Sequence, residues 1–76
     1  MYAIIEIQTN GDTMSVLPVQ TRETLNEAES VWHSILSSAA TSTVEHHTAI
    51  VIDEDGVVFD NKCYDHTEPQ EEAGEE

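Results

Sequence analysis

The histidine and cysteine side chains are the residues of this sequence best suited to bind a metal or to act as a nucleophile. They are His33, the adjacent pair His46 and His47, Cys63 and His66. Imidazole nitrogen and thiolate sulfur are ligands that zinc prefers, and a thiolate beside an imidazole is a nucleophile. Neighbouring residues on a strand point to opposite faces of the sheet, so His46 and His47 cannot bind one ion together. The spacing of Cys63 and His66 separates that pair in the same way if the strand continues.

One set of zinc-type ligands remains open, namely His33, His47 and Cys63, provided that the fold brings them together. His47 and Cys63 could also form a thiolate–imidazole pair across two strands. Acidic surroundings disfavour a thiolate, however, and the sequence has no glycine-rich loop that would supply an oxyanion hole. We therefore predict no metal site, no catalytic site and no cofactor, and a protein that is not an enzyme.

The acidic turn Asp53-Glu54-Asp55-Gly56 is a further group of chemically active residues. It resembles the start of a calcium loop, but the 12-residue pattern that ends in a bidentate glutamate is missing. Turn formation explains it better, because Gly56 can adopt the left-handed conformation that a hairpin with a bulge needs. The hypothesis for a basic protein partner is an acidic surface made of Asp53, Glu54, Asp55, Glu71, Glu72, Glu75 and Glu76.

The elements that position these residues start with a hairpin, which is predicted at the amino-terminal end of the chain. Residues 2–9 are rich in β-branched and aromatic side chains and end at Asn10-Gly11, the strongest short hairpin signal. A second strand is predicted over 13–21, at the edge of the sheet because Pro18 cannot donate a ladder hydrogen bond. A two-residue turn at Asn10-Gly11 pairs Thr9 with Asp12, Ile7 with Met14, Ile5 with Val16 and Ala3 with Pro18.

A helix and a second hairpin are predicted to follow. Thr24 and Glu27 have the spacing of a capping box, which starts a helix. The apolar stripe of this helix is predicted to contain Ala28, Val31, Trp32, Ile35, Leu36 and Ala39. Strands over 44–53 and 57–64 then flank the acidic turn, with a register that pairs Asp53 with Val57, Ile52 with Val58, Val51 with Phe59 and His47 with Cys63. The predicted fold is α+β of order ββαββ, a four-stranded antiparallel sheet with one helix packed on one face.

One helix can cover only one face of such a sheet, yet apolar residues are predicted on both faces. The uncovered face is predicted to hold Ile4, Leu17, Ile50, Ile52 and Val58. Monomeric domains rarely expose large apolar patches, so we expect a homo-oligomer or another protein partner to cover it. Sheet twist together with the loop at 40–44 is the alternative source of cover.

Charge restricts the partners further. The chain of 76 residues has a net charge of -14, with 16 acidic residues against two basic ones, and this repels nucleic acid and anionic membranes. We predict a single domain at 1–64 and a disordered acidic tail at 65–76, because the tail holds six carboxylates and no large apolar group. A single cysteine and no predicted membrane span favour a soluble protein in a reducing, intracellular compartment.

Four segments carry a resemblance to known proteins: YAIIEIQTNG, EAESVWHSILSSAATS, HHTAIVIDEDGVVF and CYDH, followed by the acidic end of the chain. Together they resemble a group of small proteins encoded by phages and prophages of gut Firmicutes. The resemblance covers nearly the whole chain and implies a viral or mobile-element origin, and with it a location in the cytoplasm of a bacterial host cell or in association with a virion. It transfers no catalytic or binding residue to this sequence.

Two functional classes are consistent with these features. The first is a non-catalytic accessory or structural phage protein that self-associates or binds a protein through the uncovered sheet face. The second is an inhibitor of a host defence system, whose carboxylates imitate the charge of nucleic acid and block a basic groove. We favour the first class, and we expect neither nucleic acid nor membrane as a partner.

Overall fold

The computed structural model of the chain describes residues 1–67 and shows one helix packed on an antiparallel sheet. The elements in chain order are β1 (Tyr2–Asn10), β2 (Thr13–Val16), β3 (Gln20–Arg22), α1 (Leu25–Ala40), β4 (His46–Asp53) and β5 (Val58–Asp65). The α+β class is therefore as predicted, but the sheet has five strands, and the predicted ββαββ order is replaced by βββαββ. Strand β5 includes Asp65, one residue beyond the predicted domain boundary. The rest of the predicted acidic tail, from residue 68 onwards, lies outside the described residues.

The extra strand arises because the predicted strand over 13–21 is interrupted at Pro18. The sheet runs β2-β1-β4-β5, and β3 pairs with the opposite end of β1 on the same side as β2. Ile7 pairs with Val16, whereas Ile4 pairs with Gln20. Between these two pairs, the edge segment that contains Pro18 has one residue more than β1 has. A proline has no N–H to donate, and a bulge at the sheet edge is where it is tolerated.

The first hairpin turns one residue later than predicted. Asn10 pairs with Thr13, so the two turn residues are Gly11 and Asp12 instead of Asn10 and Gly11. Gly11 supplies the positive φ of 59° that the first position of a tight hairpin turn requires. The predicted pair of Ile7 with Met14 is therefore wrong, and Ile7 lies opposite Val16. The pairing partner on β2 moves by two residues. Because side chains alternate between faces with a period of two, each β2 side chain still lies on the same face as its predicted partners on β1.

The second hairpin follows the prediction at its turn and departs from it further along. The Asp53 N–H donates to the Val57 carbonyl at 3.1 Å, and Gly56 has a φ of 83°, as expected for a hairpin closed at this glycine. Ile52 pairs with Val58 as predicted, but a β-bulge between Val51 and Ile52 places Val51 opposite Asp60. The predicted pairs of Val51 with Phe59 and of His47 with Cys63 are therefore wrong.

The helix begins where the capping signal predicts. The Thr24 hydroxyl accepts a hydrogen bond from the Glu27 N–H at 3.2 Å, which satisfies one of the free donors of the first turn. Ala28 and Ala39 are fully buried, and Val31 and Ile35 pack partly buried against the core. The predicted stripe thus faces the sheet, and its contact is fixed by the Trp32 indole N–H, which donates to the Ala49 carbonyl at 3.0 Å.

Candidate functional site

The two faces of the sheet differ in what covers them. Ile4 and Val51 are cross-strand partners on β1 and β4, they are 1% and 0% exposed, and they pack beneath α1. Successive side chains of a strand alternate between faces, so the neighbouring cross-strand pair, Ile5 with Ile50, lies on the other side of the sheet. We call the first side the helix-covered face. The second is the open face, defined by Ile5, Ile7, Met14, Val16, Ile50, Ile52 and Val58.

Within residues 1–67, no element packs against the open face. At its two edges, Met14 on β2 is 64% exposed, and Val16 on β2 and Val58 on β5 are each 57% exposed. The isoleucines of the two central strands shield one another and are half-buried. The open face therefore carries aliphatic side chains from one edge of the sheet to the other, and by register it also includes Thr9, Thr48 and Asn61.

The structure divides the residues predicted for self-association between the two faces. Ile50, Ile52 and Val58 lie on the open face, as their register with Ile5 and with one another requires. Ile4 does not, because it is buried in the core beneath the helix. The Leu17 N–H donates to the Glu6 carbonyl at 2.9 Å, which places Leu17 beside Glu6 on the helix-covered face. The grouping of Ile4 and Leu17 with the other three is a correction, and Ile5 and Ile7 take their place.

The open face carries almost no charge in the described part of the chain. Strand carboxylates Glu6, Asp53 and Asp60 share register positions with Ala49, Tyr2 and Val51, on the helix-covered face. Asp65 is the strand carboxylate on the open face, at its corner, where its Oδ1 lies 3.7 Å from Nδ1 of His46. Hydrogen bonds from the Thr67 hydroxyl and N–H lower the pKa of Asp65, with a smaller contribution from the two nearby histidines. A chain with many acidic groups thus presents one nearly neutral surface.

A polar cluster lies on the helix-covered face and was not predicted from the sequence. His47 is 3% exposed, its Nε2 lies 2.6 Å from the Glu6 carboxylate, and its Nδ1 lies 3.1 Å from the Ser42 hydroxyl. An ionised carboxylate can only accept, so Nε2–H donates to Glu6; in the neutral imidazole, Nδ1 then accepts the Ser42 O–H. The Ser42 oxygen also accepts the Val44 N–H at 3.2 Å. The alternation of Glu6 and Gln8 with apolar residues in β1 is the signal that could have indicated polar groups on this face.

The cluster aligns a serine, a histidine and a carboxylate, as the catalytic triad of a hydrolase does. Its surroundings, however, favour a structural role. Ser42 follows the carboxyl end of α1, where the helix dipole is negative and opposes a developing oxyanion. Each imidazole nitrogen has a partner, as buried polar groups require. The cluster therefore ties the loop between α1 and β4 to the sheet.

The predicted zinc ligands do not meet. His47 is buried on the helix-covered face opposite Tyr64, whereas Cys63 is exposed and pairs with Thr48, on the open face. His33 is exposed on α1, beside the Trp32 ring at 5.0 Å. Among the described residues, no group of three or more His, Cys, Asp or Glu side chains could hold a metal ion. The thiolate–imidazole pair is likewise divided by the sheet itself.

Two carboxylates of the acidic turn contact donor groups of the same chain. The Asp53 carboxylate accepts the N–H groups of Asp55 and Val57 at 2.9 and 3.0 Å, which stabilises the turn between β4 and β5. Glu54 lies 3.2 Å from the Met1 amino group. The other residues predicted for an acidic partner surface, Glu71, Glu72, Glu75 and Glu76, lie outside the described residues.

A pair of carboxyl groups, Glu29 and Asp60, lies between the helix and β5. A hydrogen bond with the Asp60 side chain raises the pKa of Glu29, and desolvation and the negative charge of Asp60 raise it further. Asp60 Oδ2 is itself buried without a hydrogen-bond partner in the part of the chain that the structure describes. Two carboxyl groups in contact cannot both ionise without cost, so this pair opposes the packing of α1 at neutral pH.

Comparison with known proteins found no matching family model, no matching curated protein and no matching solved structure. Over residues 1–67, no helix has the length and apolar character needed to cross a membrane.

Proposed function

We propose that this chain is a non-catalytic protein-binding module, acting as an accessory or structural phage-type protein, and that its open face contacts another polypeptide. The observation that carries the proposal is the exposure of Met14, Val16 and Val58 on one side of a sheet whose other side is closed by α1. Water in contact with an apolar surface of this extent is unfavourable, and monomeric proteins seldom leave such a surface uncovered.

The free energy available from covering this face is large for so small a domain. Complete burial of one valine or methionine side chain contributes about 1.5–3 kcal/mol relative to its exposed state. Several half-exposed side chains on the open face would together contribute several kcal/mol, comparable with the roughly 5–15 kcal/mol by which whole domains are stable. A partner that fits this face would therefore gain substantial affinity, before the entropic cost of association is subtracted.

The acidic groups support a charge-based function less well. An inhibitor that imitates nucleic acid needs carboxylates that are free to contact a basic groove. At the turn between β4 and β5, Asp53 is held by backbone N–H groups and Glu54 is near the amino terminus. On the open face, by contrast, no helix or other element among residues 1–67 covers the apolar side chains. We therefore favour binding through the open face over binding through the acidic turn.

Site-specific photo-crosslinking in bacterial cells tests this proposal. A benzophenone amino acid replaces Met14 on the open face or, as the matched control, Ser34 on the exposed side of α1. We expect adducts with a defined polypeptide, either another copy or a different protein, from position 14 and not from position 34. The absence of adducts at position 14 above the level at position 34 would contradict the proposal.

A further inference from the structure

We infer that the polypeptide bound by the open face is a second copy of this chain, in a two-fold dimer with the two open faces in contact. This inference rests on the proposed function and specifies its partner. In a two-fold interface the same patch on both copies must be complementary to itself. A mostly aliphatic surface whose strand carboxylate, Asp65, lies at one corner meets that condition, because contact between the aliphatic parts of two copies needs no opposite charges.

The size of the face is sufficient for such a dimer. Its central strand β4 has eight residues. Four strands about 4.8 Å apart, with a rise of about 3.3 Å per residue, give a footprint of roughly 500 Å² per copy. Two copies would bury about 1,000 Å², which is at the lower limit for a specific interface. The dimer should therefore form reversibly, with an affinity that depends visibly on protein concentration.

The distribution of charge permits the two copies to approach. Glu6, Asp53 and Asp60 lie on the helix-covered face, so in the dimer they point away from the interface. Packed sheets are about 10 Å apart, whereas the Debye length at physiological ionic strength is about 8 Å. Repulsion between carboxylates on the two outer sides is therefore largely screened, and it weakens further as salt is added. The apolar contact keeps its strength, so association should tighten with salt.

The charge distribution also argues against a basic partner at this face. The basic side chains of such a partner would pair with the acidic groups of the helix-covered face and of the turns. On the open face it would meet aliphatic groups, the uncharged polar side chains of Thr9, Thr48 and Asn61, and His46 beside Asp65 at one corner. Among partners of stated chemistry, a second open face matches both the apolar character and the dimensions of the first.

Cys63 provides a direct reporter of the interface. It is the single cysteine of the chain, it is exposed, and its register with Thr48 places it on the open face. In the dimer this thiol is covered by the other copy. Its rate of reaction with a thiol reagent should therefore fall as the protein concentration rises, in parallel with dimer formation.

Sedimentation equilibrium over a wide concentration range, at low and at high salt, tests the inference on the full chain. We expect a monomer–dimer equilibrium whose dissociation constant decreases as salt rises. Val58→Glu places a charge in the interface at an already exposed position and should weaken the dimer more than tenfold. Ser34→Glu adds the same charge on the outer side of α1 and should change dimerisation little. Circular dichroism checks that each variant is folded, and Val16→Glu on the opposite edge repeats the test if Val58→Glu unfolds.

The outcomes separate the dimer from the proposed function. A monomer at all concentrations and at both salts, with photo-adducts from position 14 to a different protein, overturns the dimer and leaves the proposed function in place. A monomer without such adducts overturns both. A dimer that persists in Val58→Glu while Cys63 stays reactive uses another surface, and it also overturns the inference.

Discussion

The two faces of this sheet are built from the same strands, and they differ in the cover that the chain itself provides. On the helix-covered face, Ile4 and Val51 are the largest fully buried side chains, and the rest of the buried apolar core consists of three alanines. On the open face, residues of equal or greater volume remain half-buried or exposed. The chain thus places a small core under its helix and leaves aliphatic side chains of the other face exposed within residues 1–67.

Under the proposed function, the helix-covered face stabilises the fold and the open face binds the partner. The helix-covered face also holds the polar cluster of Glu6, Ser42 and His47, whose hydrogen bonds specify one arrangement of loop and sheet. Over residues 1–67, the polar contacts of the open face lie at its corner, between Asp65, Thr67 and His46, and most of its other large side chains are aliphatic. Changes on the first face should therefore affect folding, and changes on the second should affect association.

The neighbouring residues Ile4 and Ile5 give the largest expected difference between the faces. Ile4→Ala leaves a cavity beneath α1 and should lower the free energy of unfolding by about 3 kcal/mol. Ile5→Ala removes the same atoms from the open face and should cost about 1 kcal/mol in dilute monomer, because water can occupy the space. Denaturant melts of both variants measure the difference. Equal losses would show that the open face is covered within the monomer.

Loss of the buried polar cluster should have the next largest effect. Glu6→Ala removes the acceptor of the buried His47 Nε2–H and should cost about 2 kcal/mol, because a buried donor is left without a partner. Glu6→Gln retains an acceptor oxygen and should cost clearly less. Thermal unfolding of the two variants checks this. A similar small loss for both would mean that water satisfies His47 and that the cluster does not fix the fold.

The start of the helix offers a smaller and local effect. Thr24→Ala removes the hydroxyl that accepts the Glu27 N–H and should cost about 1 kcal/mol. Thr24→Ser keeps this acceptor and serves as the control. Because the cap is remote from the open face, the dimer dissociation constant of both variants should equal that of the parent, provided that they remain folded.

The smallest predicted effect concerns two glutamates of the same helix. The raised pKa of Glu29 means that the folded protein binds this proton more tightly than the unfolded chain does. Its contribution to stability is therefore present at acidic pH and is lost as the pH rises through the folded-state pKa. Glu29→Gln should slightly raise the Tm at neutral pH, and the gain should disappear at the acidic pH where Glu29 is protonated.

Glu27→Gln is the matched control for Glu29→Gln. It removes the same charge from the first turn, where a negative group interacts favourably with the helix dipole, and it should slightly lower the Tm. Opposite signs for these two substitutions would show that the contact with Asp60, and not the net charge of the chain, causes the effect. A decrease of the Tm for both would contradict the account of the carboxyl pair.

The features that depend on local sequence were predictable, and those that depend on distant pairing were not. The Thr24 cap, the apolar stripe of α1 and the turn at Gly56 follow from spacing within a few residues. The pairing of Ile5 with Ile50 joins residues far apart in the chain, and nothing local fixes that register. The sequence pattern alone therefore predicts the wrong face for Ile4.

Two local irregularities of the strands also change the result from what the strand pattern predicts. The bulge between Val51 and Ile52 moves Cys63 to the face opposite His47, so it decides whether these two side chains can meet. The interruption at Pro18 divides an edge strand that its composition predicted as continuous. Bulges arise from the balance of twist and packing over the whole sheet, which the strand pattern alone does not contain. The polar cluster around His47 was missed because Ser42 reaches it from a loop.

In the proposed dimer, the open face is accessible in the monomer and becomes covered by a second copy. Methyl NMR of isoleucine-labelled protein with a neutral soluble paramagnetic probe measures this for Ile4, Ile5 and Ile50 in one sample. We predict that the Ile5 and Ile50 methyl groups are strongly relaxed by the probe in dilute protein and become protected as the protein concentration and the salt rise, while Ile4 is protected throughout. Methyl groups of Ile5 and Ile50 that are as protected as Ile4 in dilute monomer, or equally accessible at every concentration, would contradict it.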